Sequence, residues 1–89
     1  MNSTNNFFWS SRFEHNYKKL STENKEKINK ALLKMEENLY YSSLGVKKIK
    51  GVPNIWEARA SQSLRITFTL EKNGVYLRTV GQHNILKNP

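Results

Sequence analysis

The spacing of apolar residues changes about halfway along the chain. Between residues 23 and 40, five apolar residues recur at intervals of three or four: Ile28, Ala31, Leu32, Met35 and Leu39. That spacing places them on one face of a helix. From residue 55 onward, apolar and polar residues alternate instead, which is the pattern of strands with one buried face. The chain is therefore predicted to form helices first and a sheet afterwards.

A short strand and a first helix are predicted ahead of the long helix. Residues 7–9 are all aromatic and predict a strand of three or four residues. Ser11 and Glu14 have the spacing of a capping box, so the first helix is expected to begin there. Three apolar residues then share one face of that helix: Phe13, Tyr17 and Leu20.

The second helix is expected to run from Glu23 to about Tyr40. Ser21 and Thr22 offer an N-cap, and Glu23 lies in the first turn, where the helix dipole favours a negative charge. Because only a few residues connect the two helices, they are expected to form an antiparallel hairpin whose apolar face packs on the sheet.

Three strands are predicted in the second half, over Ile55–Ala60, Leu64–Leu70 and Val75–Val80. A basic loop precedes them at Leu44–Gly51, because its glycines and the following Pro53 disfavour a helix. Asn73-Gly74 predicts a tight hairpin between the last two strands. With the aromatic strand in front, the predicted order is β-α-α-β-β-β. This is an α+β fold, with an antiparallel helical hairpin packed on a small, curved, mainly antiparallel sheet.

The two turns of the sheet predict its register. A loop at Ser61–Ser63 pairs the first two of these strands as Trp56–Phe68, Glu57–Thr67, Ala58–Ile66, Arg59–Arg65 and Ala60–Leu64. A two-residue loop at Asn73-Gly74 pairs the last two as Phe68–Thr79, Thr69–Arg78, Leu70–Leu77 and Lys72–Val75. The apolar pairs then share one face, and a slip by one residue would scatter them over both faces.

The net charge of +8 points to a polyanionic partner, because 15 Lys and Arg stand against 7 acidic residues. Residues 1–40 hold 7 basic and 5 acidic groups, whereas residues 41–89 hold 8 and 2. The basic excess therefore belongs to the predicted sheet and the loop before it. The alternative interpretation is an ordinary solvated surface.

Length and composition limit the chemistry further. With 89 residues, we expect one domain over residues 1–89. The chain has no cysteine and only two histidines, so we expect no metal, no cofactor and no thiol nucleophile. Met1–Asn6 lacks a basic stretch followed by a long apolar one, so we expect no secretion signal, no membrane partner and a cytoplasmic protein.

Candidate chemistry lies on the predicted face opposite the apolar one. Arg59 faces Arg65 there, with Glu57 one step along, Arg78 on the neighbouring strand and His83 just past its end. Like charges directly opposite each other destabilise a sheet, so an anion such as phosphate is expected between the arginines. A carboxylate, guanidinium groups and an imidazole suit phosphodiester cleavage by the substrate's own 2′-hydroxyl, which would require RNA. A solvated charge network is the alternative.

Several segments together resemble the RelE/ParE superfamily of bacterial toxins. They are Ile49-Lys50-Gly51, Ile55-Trp56-Glu57-Ala58-Arg59, Leu64-Arg65-Ile66 and Val80-Gly81-Gln82-His83, in the predicted β-α-α-β-β-β order. In its RelE-like branch, the resemblance implies a small basic toxin of a type II toxin–antitoxin pair that enters the ribosomal A site and cleaves mRNA without a metal.

The resemblance also implies roles for individual residues. Arg65 matches the strand arginine that stabilises the transition-state phosphate, and His83 matches the position that assists the leaving group. Glu57 and Arg59 match two alternate positions on the preceding strand. We therefore expect Glu57 as general base, His83 as general acid, and Arg59 and Arg65 as phosphate clamps. Many nuclease members end with a tyrosine or a further helix after the histidine or arginine, whereas the next residue here is Asn84.

The expected partners follow from the same resemblance. Basic residues outside the catalytic set are expected to contact mRNA or ribosomal RNA: Lys47, Lys48, Lys50 and Arg78. A cognate antitoxin is expected to cover the helical hairpin or the basic face with an acidic or amphipathic helix. Two alternatives stay open. One is a ParE-like inhibitor of DNA gyrase, and the other is a binding module for nucleic acid or protein without catalysis.

Overall fold

The structure, a computed structural model, describes residues 6–89. Residues 1–5, part of the stretch expected to lack a secretion signal, lie outside this range. The elements are β1 (Phe7–Trp9), α1 (Ser11–Lys18), α2 (Thr22–Glu37), β2 (Lys47–Lys48), β3 (Trp56–Arg59), β4 (Leu64–Glu71) and β5 (Gly74–Gln82). Short 3-10 turns occupy Ser42–Leu44 and His83–Lys87.

The strands form one sheet in the order β1-β5-β4-β3-β2. β1 runs parallel to β5, and the other neighbours are antiparallel. Two helices packed on a mainly antiparallel sheet confirm the predicted α+β class, with one strand more than expected. Within residues 6–89, neither helix combines the length and the apolar character needed to cross a bilayer.

Helix α1 begins at the predicted residue but has a different cap. The Ser10 hydroxyl, not that of Ser11, accepts a hydrogen bond from the Phe13 N–H at 3.0 Å. Ser10 is still extended, and its own N–H donates to the Leu77 carbonyl at 3.1 Å. The predicted capping box was therefore wrong, because the chain leaves the sheet one residue earlier. Glu14 instead lies 3.8 Å from the ammonium of Lys18.

Helix α2 is capped by Ser21, as predicted, but ends at Glu37 and not at Tyr40. Asn38 adopts an extended backbone, and its side-chain oxygen accepts from the Tyr40 N–H at 2.9 Å, which starts a turn. The Tyr41 hydroxyl then donates to Glu37 Oε1 at 3.0 Å. This hydrogen bond and the charge of Glu37 raise the pKa of Tyr41, because both favour the neutral phenol.

The core lies between the helices and the apolar face of the sheet, as predicted. Fully burying one Val, Leu, Ile, Phe or Met side chain contributes about 1.5–3 kcal/mol to the stability of the fold. Among residues 6–89, the buried apolar residues of this core are Phe13, Ile28, Ala31, Met35, Leu44, Ala58, Leu64, Ile66, Phe68, Val75, Leu77 and Val80. Trp56 packs at the margin of this core, opposite Phe68.

Strand β2 lies inside the segment that the sequence predicts as a loop. Its two residues, Lys47 and Lys48, pair with Glu57 and Trp56. The return is made by Gly51 (φ 85°) and Asn54 (φ 58°), which adopt the left-handed conformation in the connecting turn. A strand of two residues has no alternation that a sequence pattern can detect.

The register of β3 with β4 is confirmed for all four pairs formed by Trp56–Arg59. The predicted register of β4 with β5 was wrong. Leu70 pairs with Val75 and Phe68 with Leu77, so the partners on β5 are displaced by two residues from the prediction and the two-residue loop is Lys72-Asn73. The register then shifts by one between Thr67 and Phe68, which leaves Arg78 as an extra residue on β5.

Close contact with β1 explains the error at Gly74. A Cβ there would collide with the main-chain oxygen of Asn6 and with the Phe8 ring. The Val75 N–H donates to that same Asn6 oxygen at 2.8 Å. Gly74 is therefore the first residue of β5 and not the second residue of a two-residue turn.

Candidate active site on the sheet face

Three neighbouring strands present polar residues on the sheet face opposite the core. Because paired residues share a face, Lys47, Glu57 and Thr67 lie in one row across β2, β3 and β4. Arg59 and Arg65 form the next row. We call these five residues the polar sheet face. It contains all three residues that the sequence predicts as base or phosphate clamps, namely Glu57, Arg59 and Arg65.

Glu57 and Arg65 form a buried ion pair at the centre of the polar sheet face. Arg65 Nε lies 3.5 Å from Glu57 Oε1, and the two side chains are only 10% and 11% exposed. Ion pairs that are shielded from water interact more strongly than exposed pairs, but each charge depends on its partner to offset the cost of desolvation. The structure therefore brings the predicted base and one predicted clamp into direct contact.

Arg65 also holds the loop between β3 and β4. Its Nη1 donates to the carbonyl oxygens of Ser61, Gln62 and Leu64 at 3.0, 3.0 and 3.1 Å. Nε and Nη1 are thus directed at protein groups, whereas Nη2 takes part in none of the hydrogen bonds formed within residues 6–89. The same side chain serves the fold and the candidate site.

Arg59 is paired with Arg65 in register, but its guanidinium has different surroundings. Arg59 is exposed, and its Cζ lies 4.0 Å from the point that a Cβ on Gly45 would occupy. It lines a basic cleft of about 120 Å³ together with three lysines of α2: Lys27, Lys30 and Lys34. The sheet therefore needs no anion to separate the two arginines, since Glu57 neutralises one and the other extends towards α2.

His83 enters at the end of the polar sheet face where Arg65 lies. Gly81 pairs with Arg65 and Gln82 with Leu64, and His83 follows as the first residue of the last 3-10 turn. Its side chain is exposed. Within residues 6–89, no hydrogen bond or ion pair joins His83 to Glu57 or Arg65. Strand pairing thus brings residue 83 to the Arg65 end of the polar sheet face, and no contact connects its side chain to the ion pair.

The C-terminal segment, residues 83–89, folds back over part of the polar sheet face. A Cβ on Gly81 would lie 2.8 Å from Ile85 Cγ2, so the glycine leaves room for that side chain. The Thr67 hydroxyl and Arg78 Nε both donate to the main-chain oxygen of Pro89, at 3.2 and 3.1 Å. The sequence predicts an open face here, and the structure shows one partly covered by its own chain.

The predicted RNA-binding lysines line the far edge of the sheet. Lys47 is exposed beside Glu57 in the register. Lys48 places its ammonium 5.4 Å from the centre of the Trp56 ring, a cation–π contact. Lys50 is exposed in the turn that follows. Arg78 lies apart from these three, on β5 beside the C-terminal segment.

The sequence alone does not identify the contacts of two residues in this region, Thr67 and Arg12. Thr67 looks like a routine strand residue, yet it binds Pro89. Arg12 donates to the main-chain oxygen of Asn88, 76 residues away along the chain. No local signal marks contacts of this sequence separation. The proximity of Lys47 to Glu57 could have been found only by recognising the two-residue strand β2.

A groove of about 370 Å³ lies elsewhere, between β1 and α2. It is lined mainly by apolar side chains, including Phe7, Trp9, Leu32 and Leu33. It holds no group of convergent charges, so the chemistry points to the polar sheet face instead.

Comparison with known proteins places this geometry in a known fold. No family model matches the sequence, and no curated protein matches it. Solved structures do match. A chain of the E. coli DinJ–YafQ toxin–antitoxin complex superimposes with a TM-score of 0.77 at 11% identity, covering 94% of this chain and 98% of that chain.

Two further matches are similar in extent. The E. coli toxin RelE in the free state gives a TM-score of 0.69 at 18% identity, covering 90% of this chain and 84% of that chain. The YoeB dimer from Staphylococcus aureus gives 0.68 at 20% identity, covering 91% and 99%. This chain has a RelE-like toxin fold. At such low identity the RelE-like fold alone is shared, and function is argued from the residues on it.

Proposed function

We propose that this protein is the toxin of a toxin–antitoxin pair and that it cleaves mRNA at the ribosome without a metal ion. The RelE-like fold supports the assignment to the toxins of toxin–antitoxin pairs, since one structural neighbour comes from a toxin–antitoxin complex and another is a toxin. The buried Glu57–Arg65 pair on a basic sheet face is the single observation that carries the choice of chemistry.

The proposed reaction is attack by the ribose 2′-oxygen on the adjacent phosphorus. Glu57 accepts the 2′-hydroxyl proton as the bond from O2′ to phosphorus forms, and the bond from phosphorus to O5′ breaks. Protonated His83 donates a proton to O5′, which gives a 2′,3′-cyclic phosphate and a 5′-hydroxyl. Arg65 Nη2 and Arg59 stabilise the charge that builds on the phosphate oxygens. Lys47, Lys48, Lys50 and Arg78 bind the RNA backbone.

His83 and the Glu57–Arg65 pair need not be in contact for this reaction. The exposed position of His83 at the start of a short 3-10 turn, directly after β5, lets its side chain turn towards bound RNA while the sheet stays intact. Bound RNA would supply the missing connection, because the scissile phosphate lies between base and acid in the proposed reaction.

A cognate antitoxin completes the proposal. With a net charge of +8, the protein would attract an acidic partner by long-range electrostatics. A helix laid over the polar sheet face would block access of RNA to Glu57 and Arg65.

The test is primer extension on a reporter mRNA in a translation extract, with matched substitutions. His83→Ala is expected to lower the cleavage rate by about 10²–10⁴-fold, the usual contribution of a general acid. His15→Ala removes the other histidine, which is exposed on α1, and should leave the rate unchanged. Glu57→Gln paired with Glu71→Gln, on the exposed end of β4, makes the same comparison for the base.

The alternatives predict different results in that experiment. Intact transcripts combined with arrested cell growth would contradict a ribonuclease and favour inhibition of gyrase. A wild-type protein that neither cleaves nor arrests growth would favour a binding module. Equal rates for the His83 and His15 variants would exclude His83 as the acid.

A further inference from the structure

Three donors from separate parts of the chain converge on the last two residues. Arg78 Nε and the Thr67 hydroxyl donate to the main-chain oxygen of Pro89, at 3.1 and 3.2 Å. The Arg12 guanidinium donates to the main-chain oxygen of Asn88, one residue earlier. These donors come from β5, β4 and α1, so the arrangement exists only in the folded chain.

The position of Arg78 is set by the irregularity in β5. The register shift between Thr67 and Phe68 leaves Arg78 as the extra residue, and such bulges redirect the side chain that they carry. The Ser10 hydroxyl donates to the Arg78 carbonyl at 2.9 Å and so holds this backbone in place. Ser10, Arg12 and Arg78 line a pocket of about 160 Å³.

Guanidinium forms its strongest hydrogen bonds with anionic oxygens, above all with phosphate and carboxylate. The Arg12 guanidinium holds a peptide carbonyl, that of Asn88. Within residues 6–89, the ion pairs between side chains join Glu14 to Lys18, Glu23 to Lys27 and Glu57 to Arg65, and none involves Arg12 or Arg78. No acidic side chain in this range therefore competes with a phosphate for either arginine.

This donor set lies one step from the candidate catalytic pair. Thr67 is the direct cross-strand partner of Glu57, and side chains paired in this way are about 4.5–5.5 Å apart at Cβ. A polymer with a phosphate at every unit can therefore place one phosphate at Glu57 and Arg65 and a neighbouring one at Arg78. A single acidic side chain of a partner protein could occupy only one of these two positions, so it would gain no affinity from the other.

We propose that Arg12, Arg78 and Thr67 form a second phosphate subsite for an RNA strand, and that Asn88 and Pro89 occupy it until RNA displaces them. This inference rests on the proposed function for the identity of its ligand. The C-terminal residues compete with RNA, so the apparent affinity for RNA is reduced by the fraction of molecules in which the subsite is free.

The experiment measures binding without cleavage. A fluorescent oligoribonucleotide with 2′-O-methyl groups cannot be cleaved by 2′-hydroxyl attack, and its anisotropy reports affinity. Deleting residues 88–89 removes both competing oxygens and leaves the 3-10 turn His83–Lys87 in place. If Asn88 and Pro89 occupy the subsite in about nine molecules of ten, their deletion should tighten RNA binding about 10-fold.

Two substitutions in the shortened protein identify the donors. Arg12→Gln should weaken binding and make the dependence of log K on log salt less steep by about 0.7, the value for one phosphate contact on a single strand. Lys19→Gln removes an exposed charge at the other end of α1. Because Lys19 is not part of the subsite, this control should change the affinity for RNA by less than about 2-fold. Thermal melting of each variant checks that it is folded.

Several results would overturn the subsite. One is a folded deletion variant with the affinity and salt dependence of the full chain. Another is equal behaviour of Arg12→Gln and Lys19→Gln. If deletion of residues 88–89 tightened binding of a polyglutamate peptide and not of the oligonucleotide, the site would be assigned to an acidic protein. Loss of mRNA cleavage with the binding results intact would reject the proposed function alone.

Discussion

The β3–β4 hairpin and strand β5 are adjacent in one sheet, yet only the hairpin has the register that its sequence predicts. All four pairs between β3 and β4 follow from the loop Ser61–Ser63 and the alternation on either side. β5 is displaced by two residues at its start and by one after the bulge. The β3–β4 register follows from the loop within that hairpin, whereas β5 also pairs with β1, which comes from the other end of the sequence. The contact of Gly74 with Asn6 and Phe8 therefore has no signal in the β4–β5 turn.

The same contrast divides the functional residues. Glu57 and Arg65 belong to the hairpin, and its register places them in neighbouring rows of one face, where they form an ion pair. Arg78, Thr67 and Arg12 meet through the C-terminal segment, which returns across the sheet after β5. Local pairing thus builds the candidate catalytic pair, and long-range contacts build the second subsite.

The largest effect is expected within the hairpin, from Arg65→Ala. It leaves Glu57 buried without its partner and removes the donor to three loop carbonyls, so the free energy of unfolding should fall by about 3–5 kcal/mol. Arg59→Ala, on the exposed partner residue, should stay within about 0.5 kcal/mol. Urea unfolding of both variants measures the difference. Similar losses for the two would contradict a structural role for Arg65.

On the β5 side, Gly74→Ala should destabilise the protein by about 2–3 kcal/mol, because its Cβ would collide with the backbone of Asn6. Gly81→Ala meets the Cγ2 methyl of Ile85 at 2.8 Å, a side-chain atom in the last 3-10 turn, which can shift more easily than the backbone of Asn6 can. Its loss should be below about 1 kcal/mol. Thermal melts of the two variants decide whether β1 sets the position of β5. Equal losses would argue against that role of β1.

The junction of β1 and α1 distinguishes the observed cap from the predicted one. Ser10→Ala should cost about 1–2 kcal/mol, since Ser10 caps α1. It also binds the Arg78 carbonyl. Ser11→Ala should be neutral, because alanine is favoured inside a helix. Chemical unfolding curves for both variants compare them directly, and a larger loss for Ser11→Ala would restore the predicted capping box.

The smallest effect is expected from Thr67→Val, which keeps the shape of the side chain and removes the hydroxyl bound to Pro89. Its cost should be about 1 kcal/mol. The Asn88 N–H, which donates to the Ile85 carbonyl at 2.9 Å, should then exchange with solvent faster. Thr69→Val, on the same strand, should leave that exchange unchanged. Slow exchange in both variants would mean that Thr67 does not hold the C-terminal segment.

Much of the fold could be predicted from local patterns in the chain. The α2 stripe predicted Ile28, Ala31 and Met35 as buried, and all three are buried. The ends of elements were less predictable, because they depend on single side chains. α2 ends early since Asn38 turns the chain, and α1 is capped by Ser10 since that residue is still paired with β5. Strand β2 escaped because two residues carry no period.

For the candidate site, the sequence predicted the pairing of Glu57 with Thr67 and of Arg59 with Arg65. It did not predict that the two guanidinium groups would point to different neighbours. Arg65 turns to Glu57 and the loop carbonyls, whereas Arg59 extends towards α2. Side-chain direction depends on the nearest acceptors, and those were known only once the loops were placed.

The sequence by itself determined the class of fold, the apolar face of the sheet and the β3–β4 register, because each rests on a period or a turn within a few residues. Only the tertiary structure decided the register of β5, the cover over the polar sheet face and the meeting of Arg12, Thr67 and Arg78. These rest on contacts between residues up to 76 positions apart. Such contacts form when the packed core brings distant segments together, and nothing in either segment alone encodes them.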